Sequence, residues 1–444
     1  MDDWLSTAAR LRPDHPAVLA DDGDLTYRRL DEEASRAARR MAALGVGDGD
    51  RVATTLPAGA AFAALLHGAP RLGAALVPLN TRLEEADLRR LRDRSGARLT
   101  VEAPLAGDEA DVPLRSRLDR DRPHTVLHTS GTTSTPKAVE LTARNHHASA
   151  LATARRLDVD DGDRWLCVLP LFHVGGLAIL LRSAIYATTA VVHQTFDPGR
   201  VRAELESGEI TLASLVSTML HRLREGGLER APGLRAALLG GGPIPAGLLD
   251  WAREHRLPVA PTYGMTETAS QIVTVPPEEA LRGIRAGQPL DGVQLRISTG
   301  GEILVRGPMV APGELDSDGW LRTGDLGSLD AAGRLSVEGR LKDTIVSGGE
   351  NVMAGRVEEA LRAHPAVEDA GVAGLPDPEW GERVVAWVVL AGEASEGELL
   401  IHCRERLAAF EAPKEIHRVD GLPRNAAGKL RRSELARTVR DPTA

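Results

Sequence analysis

A run of hydroxyl-bearing residues that ends in a lysine stands out in this 444-residue chain. Residues 129–137 contain four threonines, two serines, a glycine and Lys137, and they follow an extended apolar stretch at 124–128. Hydroxyl groups and backbone N–H groups at a glycine turn can surround phosphate oxygens, while the ammonium group neutralises their charge. Because Pro136 precedes the lysine and Ala138 follows it, the run is not a Walker A loop. The run therefore predicts another kind of phosphate site, with a polar surface turn as the alternative.

Lysine is rare in this chain, since only four of its 54 basic residues are lysines. Arginine can replace lysine on a solvated surface, but not where a compact, rotatable ammonium group has to fit a site. Lys137, Lys342 and Lys429 lie in glycine-containing contexts and are therefore candidate functional residues. Lys414 follows Pro413 and is interpreted as structural.

Composition and charge indicate a globular protein without a nucleic-acid partner. The chain is 42% hydrophobic and 26% charged, and its net charge of -9 offers no general attraction to nucleic acid or to anionic membranes. Cys167 and Cys403 have no metal-ligand spacing, and no apolar signal core opens the chain, so a reduced, cytoplasmic location is predicted. The longest apolar stretch, 165–181, is interrupted by His173 and two glycines, so no membrane insertion is expected.

Alternating helical and extended patterns predict an α/β fold of layered subdomains for the first part of the chain. Thr26 is expected to cap a helix whose apolar residues repeat with a 3.6-residue period and which ends at Gly45. Strands are predicted after it at 51–54, 74–79, 124–129 and 165–169, with helices at 84–94 and 145–157.

The pattern changes twice towards the end of the chain. Short strands with glycine turns at 287–310 and 333–337 predict a β-rich subdomain. A compact α+β unit follows, in which helices are predicted at 357–364 and 396–410 and strands at 384–390 and 415–419. A chain of this length exceeds one hydrophobic core. We therefore predict a large N-terminal domain at 1–339 and a small C-terminal domain at 340–444.

Further short motifs follow the 129–137 run in a fixed order. They are 170–173, 240–243, 263–268, 323–326, 339–343, 347–351 and 428–429. In this order they resemble the signature of the adenylate-forming superfamily of acyl- and aryl-CoA ligases, adenylation domains and luciferases. The resemblance covers most of the chain and implies a two-step ligase. ATP and a carboxylic acid give an acyl-adenylate and pyrophosphate, and coenzyme A then takes the acyl group as a thioester.

The resemblance implies roles in ATP binding for two sets of residues. The loop set, which is expected to hold the β- and γ-phosphates, consists of Thr129, Ser130, Gly131, Thr132, Thr133 and Lys137. The second set consists of Gly241, Gly242 and Tyr263 at adenine, the adjoining Gly264, Thr266 at the α-phosphate, and Asp325 and Arg340 at the ribose.

The resemblance also implies catalytic and hinge residues. Glu267 is expected to help bind Mg²⁺, a hard cation that prefers carboxylate and phosphate oxygens. Lys429 is expected to bridge the substrate carboxylate and the α-phosphate, because an ammonium group cancels the repulsion between two anions. In the second step the mobile C-terminal domain is expected to turn about Lys342 and withdraw Lys429. The coenzyme A channel is then expected to contain Ser347, Gly348 and Gly349.

This chain departs from the usual family pattern at two places. Ser134 stands where glycine is common, and Ala138 where glycine usually follows the lysine, so phosphate affinity or the turn itself is expected to differ. Between Gly313 and Trp320 the family's tyrosine-containing linker is contracted. Neither change removes a catalytic group.

Within the superfamily, the segments 239–243, 263–274 and 345–351 resemble the o-succinylbenzoate–CoA ligases of menaquinone biosynthesis. This acid is a dicarboxylate, and its second carboxylate needs a partner because an unpaired buried charge is costly. The polar candidates are His173, which is also a candidate catalytic residue at the gate of the acyl pocket, Ser270, Gln271 and Thr274. Other aryl acids and medium-chain fatty acids remain alternatives.

Other classes of protein are weaker alternatives. An adenylation unit that loads a carrier-protein thiol within its own chain is disfavoured, because no carrier domain is recognised after residue 440, whereas a stand-alone adenylation enzyme that loads a separate carrier remains an alternative. A luciferase-like oxygenase has no support in a chain with so few aromatic residues. A non-catalytic nucleotide-binding protein is disfavoured because Glu267, Asp325, Arg340 and Lys429 are present together. The predicted partners are therefore small molecules, and the oligomeric state is not given by the sequence.

Overall fold

The computed structural model describes residues 1–129, 136–424 and 430–438. Single turns of 3-10 helix lie at Ala69–Leu72, Thr266–Thr268, Pro312–Glu314 and Leu341–Asp343. The helices are α1 (Trp4–Leu11), α2 (Tyr27–Ala43), α3 (Ala60–Gly68), α4 (Glu85–Arg94), α5 (Ala143–Leu157), α6 (Val174–Tyr186), α7 (Pro198–Ser207), α8 (Ser217–Glu225), α9 (Ala246–Glu254), α10 (Pro277–Leu281), α11 (Ala354–Arg362), α12 (Glu396–Arg404) and α13 (Arg432–Thr438). The strands are β1 (Pro16–Ala20), β2 (Leu25–Thr26), β3 (Arg51–Thr54), β4 (Ala75–Pro78), β5 (Leu99–Val101), β6 (Pro123–Thr129), β7 (Lys137–Thr142), β8 (Arg164–Cys167), β9 (Thr189–Val192), β10 (Leu212–Leu215), β11 (Ala236–Leu239), β12 (Val259–Met265), β13 (Ser270–Thr274), β14 (Gln288–Pro289), β15 (Gln294–Ile297), β16 (Glu302–Arg306), β17 (Leu321–Leu329), β18 (Leu335–Arg340), β19 (Thr344–Ser347), β20 (Glu350–Met353), β21 (Val367–Asp377), β22 (Gly381–Leu390) and β23 (Glu415–Arg418).

These strands form sheets whose order brings loops from distant parts of the chain together. The largest has the order β14-β13-β12-β11-β10-β8-β9-β1-β2, and another has the order β5-β3-β4-β6-β7. Strands β15-β16-β17-β18 form a third sheet, and β20-β19-β22-β21 form a fourth in which β23 also pairs with β22. In the largest sheet β8, β10, β11 and β12 are parallel neighbours, so their carboxyl ends lie along one edge. Ligands of open α/β sheets bind at such an edge.

Helix α2 shows how the local sequence determines an element. Thr26 accepts a hydrogen bond from the Arg29 backbone N–H through its side chain, which satisfies one of the free donors at the helix start. Most apolar residues of the 3.6-residue repeat are buried on one face, and Gly45 follows with a left-handed φ of 84°. The predicted helix is confirmed at both ends.

The chain divides into two compact units. One consists of Met1–Leu295 with Val305–Leu321, and the other of Arg296–Leu304 with Arg322–Ala444. The first unit has extended apolar cores around Trp165 and Leu220, and the second has a core around Val357. The predicted α/β class, with a smaller α+β part at the end, is confirmed. The predicted boundary between domains 1–339 and 340–444 was placed where the C-terminal domain is expected to turn about Lys342. It stays a prediction.

One element is shorter than predicted. The helix expected at 396–410 ends at Arg404, and the residues after it form turns. The carboxylate of Glu411 accepts a hydrogen bond of 2.9 Å from the Ala408 backbone N–H. A side-chain acceptor that takes a backbone donor competes with the helix, and Pro413 follows closely. In the described part of the chain, no helix has the length and apolar character that a bilayer span needs.

Candidate active site

The predicted phosphate loop connects two antiparallel strands of the first unit. Strands β6 and β7 pair so that Thr129 lies opposite Lys137, and the Thr129 hydroxyl lies 3.4 Å from the Lys137 carbonyl oxygen. The two residues therefore mark the ends of the loop. The predicted ligands Ser130, Gly131, Thr132 and Thr133 lie outside the described residues.

Lys137 has a partner that the sequence interpretation did not identify. Its ammonium group forms an ion pair with the carboxylate of Glu314, which belongs to the turn Pro312–Glu314. The Lys137 side chain is 59% exposed, whereas that of Glu314 is only 10% exposed. Glu314 is the first residue of the contracted linker, and this was the only signal in the sequence that could have pointed to it.

The residues predicted at adenine lie at the carboxyl ends of neighbouring parallel strands. Strands β11 and β12 pair with Leu239 opposite Pro261, so the glycine run after β11 and Tyr263 on β12 reach the same sheet edge. Gly241 has a left-handed φ of 82°. A Cβ atom at Gly240 would lie 2.4 Å from the Thr262 hydroxyl, so glycine fits the close approach of residue 240 to β12.

A strained turn after β12 carries Thr266 and Glu267. Two residues at its end, Ala269 and Ser270, have φ angles of 51° and 126°, which L-amino acids rarely adopt. The Thr268 hydroxyl lies 3.0 Å from the Met265 carbonyl oxygen and 2.7 Å from that of Ser270, and so holds the turn closed. Strain of this kind persists only where the surroundings enforce it, and it is common at ligand sites.

Gly264 allows this turn to close against β13. A Cβ atom at Gly264 would lie 2.2 Å from the Ser270 carbonyl oxygen and 2.4 Å from the Gln271 Cα atom. Both contacts are with backbone, so a side chain at this position cannot be accommodated by a change of rotamer. The close approach of β12 to β13 therefore requires glycine.

Gly264→Ala is expected to lower the free energy of unfolding by about 1–3 kcal/mol, because the added methyl group separates two paired strands. The adenylate formation that the family resemblance predicts should fall as well, since the turn that holds Thr266 and Glu267 moves. Unfolding in urea, followed by circular dichroism, measures the first effect. Gly247→Ala is the matched control, because a Cβ atom at that helical glycine meets nothing within 4 Å. Equal stability of the two variants would contradict the assignment.

Glu267, the residue predicted to bind magnesium, has an anchored backbone and a half-buried side chain. Its backbone carbonyl oxygen accepts a hydrogen bond of 2.8 Å from the Ala311 N–H, and its side chain is half-buried. Among the described residues, no three His, Cys, Asp or Glu side chains are grouped so that they could hold a metal ion. Mg²⁺ in nucleotide sites usually takes one or two carboxylates, with phosphate oxygens and waters completing its shell. A single carboxylate on an anchored backbone therefore fits a magnesium–nucleotide complex and not a permanent metal site.

The predicted acyl-pocket residues differ in their exposure. His173 is half-buried before the first residue of α6, with its ring 4.6 Å from that of Phe172, and Ser270 is half-buried as well. Thr274 and Gln271 are buried on β13. Of the four polar candidates, His173 and Ser270 are therefore partly accessible, whereas Gln271 and Thr274 are buried in the sheet.

Gln271 belongs to a buried polar network that includes an arginine. Its amide oxygen accepts hydrogen bonds from Arg182 at 2.9 Å and from Ser270 at 2.7 Å, and its amide nitrogen donates to the Thr153 hydroxyl at 3.0 Å. Arg182 is 2% exposed and lies over the ring of Trp165. Burial lowers the pKa of this guanidinium. The sequence interpretation did not identify Arg182, although an arginine within the apolar helix α6 is an unusual signal.

The two residues predicted at the ribose are paired in the second unit. Asp325 on β17 lies opposite Arg340 on β18, and the Arg340 Nε lies 2.8 Å from the Asp325 carboxylate. The Asp325 side chain is only 6% exposed. Gly324, with a φ of 67°, donates its N–H to the Glu302 carboxylate at 3.1 Å, and the Asp325 N–H donates to the Thr323 hydroxyl. This turn therefore fixes the position of the Asp325 carboxylate.

Lys342 lies in a single 3-10 turn between β18 and β19. Burial lowers the pKa of its ammonium group, Asp343 opposes that shift, and Arg340 reinforces it. Arg432 binds the Asp343 carboxylate at 2.8 Å. A short connection between two strands is a suitable place for a hinge, but the hinge role of Lys342 stays a prediction.

A tight glycine turn carries the residues predicted at coenzyme A. Strands β19 and β20 pair with Ser347 opposite Glu350, so Gly348 and Gly349 form a two-residue turn with φ angles of 61° and 84°. Positive φ at both positions is the geometry of a type I′ turn, which favours glycine. A Cβ atom at Gly348 would lie 3.0 Å from the ring of Trp380, and the Ser347 side chain is buried.

The predicted catalytic Lys429 lies outside the described residues.

Comparisons with known proteins give a consistent result over nearly the whole chain. A family model described as AMP-binding enzyme matches residues 5–313, and one described as AMP-binding enzyme C-terminal domain matches residues 356–429. The curated 2-succinylbenzoate–CoA ligase of Bacillus licheniformis is 40% identical over 472 aligned positions, which cover 97% of this chain and 98% of the relative.

The solved structure of o-succinylbenzoate CoA synthetase from Bacillus subtilis, in complex with the acyl-adenylate intermediate OSB-AMP, is 37% identical with a TM-score of 0.92. It covers 98% of both chains. The same enzyme with ATP and a magnesium ion has a TM-score of 0.91 at 37% identity and covers 98% of this chain and 99% of the other.

Proposed function

Because this chain belongs to the AMP-binding enzyme family, we propose that it is an AMP-forming ligase that joins o-succinylbenzoate to coenzyme A. The observation that carries the proposal is the full-length similarity to an enzyme whose solved structure contains the adenylate of this acid. The product would serve menaquinone biosynthesis, as the sequence resemblance implies. ATP, the acid and coenzyme A are then the partners of the chain.

The first unit would bind the adenine and the triphosphate. Tyr263 and the glycines after β11 reach one sheet edge, and the strained turn after β12 places Thr266 beside Glu267. Lys137 at the end of the loop would neutralise the charge of the β- and γ-phosphates. When bound, Mg²⁺ would neutralise charge on the phosphate oxygens. The half-buried Glu267 carboxylate would be its ligand from the described part of the protein.

The second unit would bind the ribose through Asp325. Its carboxylate can accept hydrogen bonds from both ribose hydroxyls, while the ion pair with Arg340 orients the carboxylate. Lys429 would then lie between the substrate carboxylate and the α-phosphate and lower the barrier by reducing the repulsion between them. In the second step the turn Gly348–Gly349 would border the pantetheine of coenzyme A, with Lys342 as the hinge.

The acid itself requires a partner for its second carboxylate. Because His173 and Ser270 are half-buried, we assign direct contact with the acid to them. Gln271 and Thr274 lie deeper, and the Gln271 amide already binds Arg182 and Thr153. These two residues would support the wall of the pocket from behind. We propose the cytoplasm as the location, since both cysteines are free and buried.

Pyrophosphate release with a panel of acids tests the proposed substrate. The kcat/KM for o-succinylbenzoate should exceed that for benzoate and octanoate by on the order of a hundredfold or more, because a site built for a second carboxylate rejects acids that lack it. The matched control is 4-oxo-4-phenylbutanoate, which has the reacting carboxylate but lacks the ring carboxylate. Better turnover of octanoate or benzoate would refute the substrate. Formation of AMP without a coenzyme A thioester would favour a carrier-protein acceptor instead.

A further inference from the structure

The ion pair between Lys137 and Glu314 has a consequence for the binding of ATP. We propose that Glu314 competes with the triphosphate for Lys137, and thereby weakens the binding of ATP and speeds the release of pyrophosphate. The inference rests on the proposed function, because it requires the loop lysine to bind phosphate.

Glu314 is held beside Lys137 by the same element that carries the lysine. Strand β7 runs from Lys137 directly into α5, where Asn145 is buried and completes a capping box with Thr142. The Asn145 side-chain amide donates to the Pro308 carbonyl oxygen at 2.9 Å and to the Val310 carbonyl oxygen at 2.8 Å. The segment that leads to Glu314 is therefore anchored to the start of α5.

A second anchor fixes the end of this segment. The Ala311 N–H donates to the Glu267 carbonyl oxygen at 2.8 Å, and the turn Pro312–Glu314 follows immediately. Glu314 is thus three residues from a hydrogen bond to the predicted magnesium-binding residue. These contacts fix the backbone that leads to Glu314, whereas an ordinary surface ion pair joins two long, freely rotating side chains.

The unequal exposure of the two side chains makes the competition effective. Lys137 is 59% exposed and can exchange one anionic partner for another while it stays in water. Glu314 is 10% exposed, so its carboxylate has few water contacts to replace the lost ammonium group. When phosphates recruit Lys137, the carboxylate remains close to them, and like charges repel. Both effects oppose triphosphate binding, and both favour the departure of pyrophosphate.

Equilibrium binding to the full-length enzyme tests the inference without catalysis. Glu314→Gln keeps the shape of the side chain and removes its charge, so the Kd of ATP should fall by about three- to tenfold. The Kd of inorganic pyrophosphate should fall in parallel, and added salt should reduce both effects. The Kd of AMP should not change, because AMP lacks the β- and γ-phosphates. Melting temperatures establish that the variants are folded.

Two further variants separate the proposed competition from a general effect of charge and from an error in the proposed phosphate site. Glu140→Gln removes the same charge from β7, where Glu140 pairs with Arg51 and not with Lys137, so it should leave the Kd of ATP unchanged. An unchanged or higher Kd of ATP in Glu314→Gln, or an equal gain for AMP, would overturn the inference. Lys137→Gln should raise the Kd of ATP. If it does not, the proposed phosphate site is wrong, and that result differs from a failure of the competition alone.

Discussion

Replacing Lys429 with alanine is expected to lower the rate of adenylate formation by about 10²- to 10³-fold. The proposed reaction brings a carboxylate to an α-phosphate, and two anions at contact distance repel each other. A single ammonium group between them lowers this barrier selectively in the transition state. The rate of substrate-dependent exchange of labelled pyrophosphate into ATP measures this step.

Two controls distinguish a catalytic effect of Lys429 from a general one. Thioester formation from chemically prepared acyl-adenylate should be retained in Lys429→Ala, because in the proposed mechanism Lys429 acts only in the first step. Lys414→Ala removes another of the four lysines, one whose ammonium lies over the ring of Trp380, and should leave the exchange rate near that of the unchanged enzyme. An undiminished exchange rate in Lys429→Ala would refute the catalytic role.

Replacing Lys342 with proline is expected to slow thioester formation by on the order of a hundredfold while adenylate formation is largely retained. Proline fixes φ near −65°, so a hinge motion that requires rotation about φ at this position is prevented. The short turn between β18 and β19 fits the role, because it is the connection at which the predicted motion would occur. Single-turnover assays of the two half-reactions give the two rates separately.

Lys342→Ala is the matched control for the proline variant. It removes the ammonium group, whose pKa is lowered by burial, but it leaves φ and ψ free to change. If the backbone rotation matters, the alanine variant should form the thioester much faster than the proline variant. Equal loss of thioester formation in both variants would assign the effect to the side chain, and equal loss of both half-reactions would contradict the hinge.

The elements that could be predicted are those whose signal is local. The cap at Thr26, the apolar repeat of α2 and the apolar strand β3 are all visible within a few residues, and the structure has them in place. Strand β21 was not predicted, because glycine, proline and aspartate interrupt its apolar pattern. It forms because it pairs along its whole length with the apolar strand β22. Such a strand depends on its partner more than on its own propensities.

In the candidate site, too, features with a local sequence signal were predicted, and contacts between distant residues were not. The order of the motifs predicted membership of the AMP-binding enzyme family, and the family match confirms it. The glycine at 264 was predicted as part of a motif, but its reason is a backbone approach to Ser270 that no local pattern contains. Arg182 and its contact with Gln271 were missed because the two residues are 89 positions apart.

The amino-acid sequence by itself determined which chemical groups are available and in which order: the phosphate-binding run, the carboxylates, the turn glycines and the rare lysines. The tertiary structure alone decided which charged groups from distant parts of the chain became partners. Lys137 and Glu314 are 177 positions apart, and they meet because residues 308–311 are anchored, by hydrogen bonds from the Asn145 side chain and by the bond that the Ala311 N–H donates to the Glu267 carbonyl oxygen. The strength of a charge–charge interaction depends on distance and burial, and both are set by packing between residues that are remote in the sequence.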